Sequence, residues 1–153
     1  RRDTVKLRRA RGGGKMNIRR ATAEDIPELM NLYHHLSPNY QDNPSAMELA
    51  IGHASTEVYA LEHNGQLVGT ATVSFRAVPS RGLVAYIDDV VIHPADQGSG
   101  LGRIITEHCI QVARDRGSAR IELTSHPARV AANKLYLKFG FVKRDTNSYF
   151  MAL

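Results

Sequence analysis

The chain has a single cysteine, Cys109, which rules out an internal disulfide framework. Cys109 falls inside an apolar helical pattern and reads as a small buried hydrophobe rather than a nucleophile. No apolar run approaches the roughly 20 residues needed to cross a bilayer, and no signal-peptide core is visible. The expected setting is therefore cytoplasmic, with no membrane partner. Seven histidines are present, but no pair has the i, i+4 helical spacing of a zinc motif, and the adjacent His34 and His35 face different directions. No metal is expected. At 153 residues, the chain is long enough for one domain with a proper core.

The net charge of +5 suggests a nucleic-acid partner until its distribution is examined. Residues 1–15 hold seven Lys/Arg against one Asp, giving +6, and the remaining 138 residues hold thirteen against fourteen, giving −1. The positive excess belongs to a short tail with a Gly-Gly-Gly breaker. A domain that is itself near neutral is not expected to bind nucleic acid. Residues 1–15 read as a disordered or loosely packed segment, either an upstream or vector-derived remnant or a native basic arm. The folded domain is assigned to residues 16–153.

From Met16 the pattern alternates as a strand would. Ile26, Leu29, Met30, Tyr33 and Leu36 then recur at three- and four-residue steps, predicting an amphipathic helix. A shorter helix is expected over 46–53, capped by Ser45. Residues 57–62 and 66–75 read as strands joined through Asn64-Gly65, a strong hairpin signal. A central strand over 83–92 leads to a helix from Gly100 that ends at Gly117. A strand over 118–124, a helix over 128–139 and an antiparallel pair over 141–144 and 148–153 complete the order β-α-α-β-β-β-α-β-α-β-β.

The most informative stretch lies between the central strand and the helix after it. Pro94 ends the strand, having no N–H to donate to a ladder. Glycines at 98, 100 and 102 then lead into the helix. A strand, a glycine-rich turn and a helix N-terminus together form an anion site, where backbone can approach a phosphate and unpaired N–H groups point at it. The spacing excludes two phosphate loops. Arg103 and Ile104 stand where a P-loop needs Lys and Ser/Thr. Glycines at 98, 100 and 102 followed by Arg103 do not fit G-x-G-x-x-G.

Gln97-x-x-Gly100-x-Gly102 resembles the acetyl-CoA pyrophosphate loop of the GNAT (GCN5-related N-acetyltransferase) superfamily, R/Q-x-x-G-x-G/A. A second stretch, Arg129 to Phe141, resembles the family signature in which a tyrosine, Tyr136, is followed by Gly140-Phe141, with Ala132 as the small residue four before it. The element order over 16–153 is similar to the GNAT acyl-CoA N-acyltransferase fold, an α/β fold with a mixed sheet and splayed central strands. The resemblance implies acetyl-CoA as cosubstrate, held by the loop Gln97, Gly98, Ser99, Gly100, Leu101, Gly102 and Arg103 and by backbone groups of Val91 and Ile92. Asn133 and Tyr136, three apart on one helical face, can address the same ligand. Asp96 adds a negative charge near the expected pyrophosphate.

The chemistry implied is direct acetyl transfer to a primary amine. The thiolate leaving group needs a proton, a role the resemblance gives to Tyr136. The amine must be neutral to attack, and a carboxylate can take its proton, usually through a water. Asp88 and Asp89 sit mid-strand, where two acids cost burial energy unless hydrogen-bonded or used. Strand alternation points at most one of them into a given cleft, but the family's central strand is commonly bulged here, so both are named, with Asp89 preferred. Glu122 is a weaker alternative base. His93 and His126 flank the expected cleft and read as surface or supporting side chains. The acceptor pocket implied by the resemblance is built from 33–53, whose Tyr40, Asp42 and Asn43 suit a small amine or amino sugar. A protein lysine or N-terminal acceptor, or a non-catalytic acyl-CoA-binding regulator, are the alternatives. Homodimers are common in the family.

Overall fold

The computed structural model describes residues 14–153 together with the backbone of Val5–Lys6. Its centre is a sheet whose strands lie in chain order: β1 (Val5–Lys6), β2 (Met16–Arg20), β3 (Thr56–His63), β4 (Gln66–Val78), β5 (Gly82–Ile92) and β6 (Arg120–Glu122). All neighbours are antiparallel except β5 and β6. Four helices accompany them: α1 (Ile26–Leu36), α2 (Pro44–Gly52), α3 (Leu101–Asp115) and α4 (Val130–Lys138). Of the tail read as loosely packed, Val5 and Lys6 pair with Ile18 and Asn17 at the sheet edge, Lys15 exchanges hydrogen bonds with Asn64, and residues 1–4 and 7–13 lie outside the described residues.

The two-residue period of β3 divides the interior into two cores. Val58 and Ala60 join Ile26, Leu29 and Met47, on the side covered by α1 and α2. Tyr59 and Leu61 join Leu101, Ile105, Cys109 and Ala113, on the side covered by α3. Cys109 is fully buried and free, and burial pushes its thiol up to about 12, as suits a packing residue. Asn64 and Gly65 both take left-handed backbone, the requirement of a tight two-residue hairpin between β3 and β4. Gly117, also left-handed, follows the last residues of α3 as expected.

The helix over 44–52 starts earlier than the sequence pattern suggested. Asn43, not Ser45, is the cap: its Oδ1 accepts from the N–H of Ala46 at 3.0 Å, and Pro44 fills the first helical position, where no N–H is needed.

The strand pair expected over 141–144 and 148–153 is absent. That segment has no regular structure, and Val142, Tyr149, Phe150, Met151 and Leu153 are exposed. Its alternation gives strand propensity, but β6 is only three residues long and offers little edge to build on. An isolated two-stranded ribbon is marginal in water.

β6 is aligned with β5 only through Val84↔Arg120, Ala85↔Ile121 and Tyr86↔Glu122. Beyond Tyr86, β5 continues for six residues, Ile87–Ile92, with no partner on that side. The expected splay of the central strands is therefore present as a gap next to the second half of β5.

Candidate active site

The gap is edged by backbone whose direction can be read from its hydrogen bonds. The N–H of His93 donates to Val68 O at 2.8 Å, so the preceding carbonyl, that of Ile92, faces away from β4. There it accepts from the Gln97 side-chain amide at 3.0 Å. Two residues earlier the Val90 carbonyl faces the same way and accepts from the Arg129 guanidinium at 2.7 Å. Val91, paired with Thr70, turns its backbone toward β4. Of Val91 and Ile92, then, Ile92 turns its backbone toward the gap and Val91 turns its backbone toward β4.

At the end of β5 the chain makes a short turn over Pro94–Asp96 and enters the glycine loop. Gly98 and Gly100 adopt left-handed backbone (φ 78° and 91°), which a side chain would strain. The N–H groups of Gly98, Ser99, Gly100, Leu101, Gly102 and Arg103 donate to no carbonyl among the described residues, and the first backbone bond of α3 runs from Ile104 N–H to Gly100 O at 3.2 Å. A run of free donors at a helix start is a cradle for a diphosphate. Leu101 is buried, so only its backbone can serve a ligand, whereas Gln97, Ser99 and Arg103 are exposed. The Asp96 carboxylate lies 3.8 Å from ring nitrogens of His63 and His93.

Tyr136 is buried, and its ring lies edge-on to Phe141 at 5.9 Å. Its hydroxyl makes no hydrogen bond to the described residues. Burial raises its pKa, and the nearby Arg129 draws it partly back. Asn133 differs from expectation: its Nδ2 donates to the His126 carbonyl at 2.9 Å, so it braces the loop before α4. His93 and His126 each accept from a backbone N–H two residues on, in short turns. Glu122 lies within 3.3–3.8 Å of Arg81, Arg120 and Arg144, which ties it to ion pairing. Among the described residues no cluster could hold a metal ion.

The two aspartates separate at a β-bulge. Thr72 pairs with Asp88 and Thr70 with Val91, so β5 carries one residue more than β4 over this interval. Asp89 takes up the difference with a left-handed φ of 51°, a strained conformation for a residue other than glycine. Both aspartates keep solvent access, and partial burial raises both carboxyl pKa values. The charge of Asp88 raises Asp89 further, while Arg129 lowers it.

Of the two aspartates, only Asp89 lines the half-open cavity between α1, α2 and the sheet, whose volume is about 170 Å3. Tyr33 and Tyr40 meet edge to face at its wall, with centroids 5.4 Å apart. Leu29, Met47, Ile51 and Val58 form most of the remainder. The 33–53 stretch read as a polar acceptor pocket is therefore mainly apolar. Asn43 spends its oxygen on the helix cap, and Asp42 faces His34 at 2.9 Å. Tyr33 falls within the expected acceptor stretch but matches the helical core period and is not singled out by it, and Thr72, which also lines the cavity, is a lone strand threonine that carries no signal. A hydroxyl-bearing ring among aliphatic core positions was the available clue.

The sequence profile of the Acetyltransferase (GNAT) family matches residues 24–141. An uncharacterized N-acetyltransferase, ycf52, of Pyropia yezoensis is 41% identical over 80 residues, which are 52% of this chain and 42% of that protein. Glucosamine 6-phosphate N-acetyltransferase of Trypanosoma brucei brucei is 30% identical over 88 residues, 56% of this chain and 58% of the enzyme. The chain thus matches about half the length of these curated relatives. A Clostridium acetobutylicum protein solved with acetyl-CoA has the same fold, with a TM-score of 0.75 over 89% of this chain and 96% of that one at 21% identity. The profile match, spanning both the glycine loop and Tyr136, shows that the chain belongs to the GNAT acetyltransferase family.

Proposed function

We propose that the protein moves an acetyl group from acetyl-CoA directly to the primary amine of a small molecule. The observation that carries this reading is the gap between β5 and β6. It has free N–H donors at one end, Tyr136 beside it, and the Asp89 cavity across the sheet. The loop from Gly98 to Arg103 holds the diphosphate, and the backbone of Ile92 meets the pantetheine arm once Gln97 yields its carbonyl. Asp89, directly or through a water, takes the proton of the incoming ammonium. The amine nitrogen bonds to the acetyl carbon as the carbon–sulfur bond breaks; the Tyr136 hydroxyl gives its proton to the departing sulfur, and the second proton shed by the nitrogen passes through water to restore the phenol. Asp88 acts on this step through its charge on Asp89, and Arg129 supports both partners.

A cytoplasmic setting is part of this proposal; no helix among the described residues is long and apolar enough to cross a membrane. The exposed apolar side chains after Phe141 favour a homodimer, in which a second copy would cover them; light scattering on the full chain gives the mass.

Calorimetric titration with acetyl-CoA, followed by thiol release over a panel of amines, tests the function. Saturable binding and amine-dependent release are expected, with Tyr136→Phe lowering kcat by about 10²-fold and leaving acetyl-CoA affinity near that of the parent chain. Binding without release for every amine would favour an acyl-CoA-binding regulator. An absence of binding would remove both readings.

A further inference from the structure

The cavity beside Asp89 is specific enough in shape and chemistry to restrict the acceptor. It is half open to solvent, and its volume of about 170 Å3 is enough for a benzene-sized group, which about 150 Å3 accommodates. Leu29, Met47 and Val58 are buried, and with Ile51 they present hydrocarbon to most of any occupant. Its polar lining consists of Asp89, the two tyrosines Tyr33 and Tyr40, Thr72 and Asn43. A carboxylate beside two tyrosine rings suits an ammonium, which gains from the charge and from the ring faces together.

The other end of the ligand has no such provision. No lining residue is cationic. His34, near Tyr40, is paired with Asp42. A phosphate in the cavity would meet one carboxylate and mostly hydrocarbon, whereas phosphate sites are built from arginine, lysine or free N–H groups. The hydroxyls of a sugar would find partners only along Tyr33, Tyr40, Asn43, Thr72 and Asp89, and elsewhere would lie against aliphatic side chains.

We infer that the acceptor is a compact primary amine on an apolar, ring-sized body without phosphate, held with its nitrogen at Asp89 and its body against Leu29, Met47, Ile51 and Val58. This rests on the acetyl-transfer reading above, and it separates the chain from its relative that acts on glucosamine 6-phosphate. The amine lies against the same β5 bulge that edges the thioester gap, so the acetyl carbon and the nitrogen approach from opposite faces of the sheet.

The test uses the full chain with 2-phenylethylamine, 3-methylbutylamine, glucosamine and glucosamine 6-phosphate, measuring binding by calorimetry in the presence of CoA and turnover by thiol release with acetyl-CoA. The expected result is kcat/KM at least tenfold higher for 2-phenylethylamine than for either sugar. Ala50→Phe, which fills the cavity, should weaken 2-phenylethylamine binding at least tenfold while acetyl-CoA affinity stays within twofold, a sign that the fold is intact. A preference below tenfold, or a sugar preferred, overturns the inference and leaves the acetyltransferase reading standing. Unchanged amine affinity in Ala50→Phe also overturns it. Binding of 2-phenylethylamine without thiol release supports the cavity assignment and overturns the catalytic reading. Failure of 2-phenylethylamine to bind overturns the inference.

Discussion

Asp89 has neighbours of opposite charge, and they pull its proton affinity in opposite directions. If it is the base, the acid limb of kcat/KM follows its ionisation, because only the carboxylate can accept a proton. Asp88 raises the Asp89 pKa, so Asp88→Asn should move that limb to lower pH. Arg129 lowers it, so Arg129→Gln should move the limb to higher pH. The pair of profiles checks the assignment, since a merely structural role for Asp89 gives no such opposed shifts. Glu57 behaves differently. Burial alone would raise its pKa, but hydrogen bonds from Tyr59 and Arg116 and the charge of Arg116 outweigh that and hold it low. Asp25 is held low by Arg19, which donates to it twice at 2.7 Å. For groups depressed in the folded state, the stabilisation is present above the unfolded pKa and disappears as pH falls through the folded value. The Tm should therefore fall on acidification below about 4.5, the ordinary value for Glu57. Glu57→Gln should flatten part of that slope in scans from pH 7 to pH 3.

The β5–loop–α3 unit is the element on which cofactor capture depends. Gly98→Ala or Gly100→Ala forces a side chain into left-handed backbone at a cost of about 1–2 kcal/mol. If relaxation turns the N–H groups away, acetyl-CoA affinity should drop about tenfold or more. Calorimetry on each variant measures this, and a Kd within twofold of the parent would count against the cradle. This unit was the most legible part of the chain, because glycine spacing and a strand-ending proline constrain backbone directly. The two-faced alternation of β3 was legible for the same reason. Which aspartate lines the cavity was not, because the bulge is one residue shared between two strands, and neither strand shows it in its own side-chain pattern. Tyr33 fitted its helix period and so passed as core. The missing C-terminal strand pair shows the converse: residues 148–153 have strand-like side chains, but a strand also needs a partner, which local sequence does not specify.

At the scale of the whole molecule, β2 to β5 form a continuous antiparallel sheet packed on both faces, while β6, α4 and the segment after them join it through little backbone pairing. Three residue pairs, the Arg129 bond to Val90 O and the Arg81–Glu122 ion pair are its polar links, beside the packing of Ile121, Leu123, Phe139 and Phe141 against the main core. Such a part of a fold opens at lower free energy than the rest. Amide hydrogens in residues 120–141 should exchange faster than those of β3 and β4. A ligand lodged beside Ile87–Ile92 would add bonds where the sheet has none and raise the cost of that opening. Acetyl-CoA should then slow exchange in 120–141 well beyond the residues it touches, while β2 and β3 hardly change. On the acetyl-transfer proposal, the cosubstrate would also be a missing strand, and the last part of the chain would reach its full rigidity only as the reaction is about to begin.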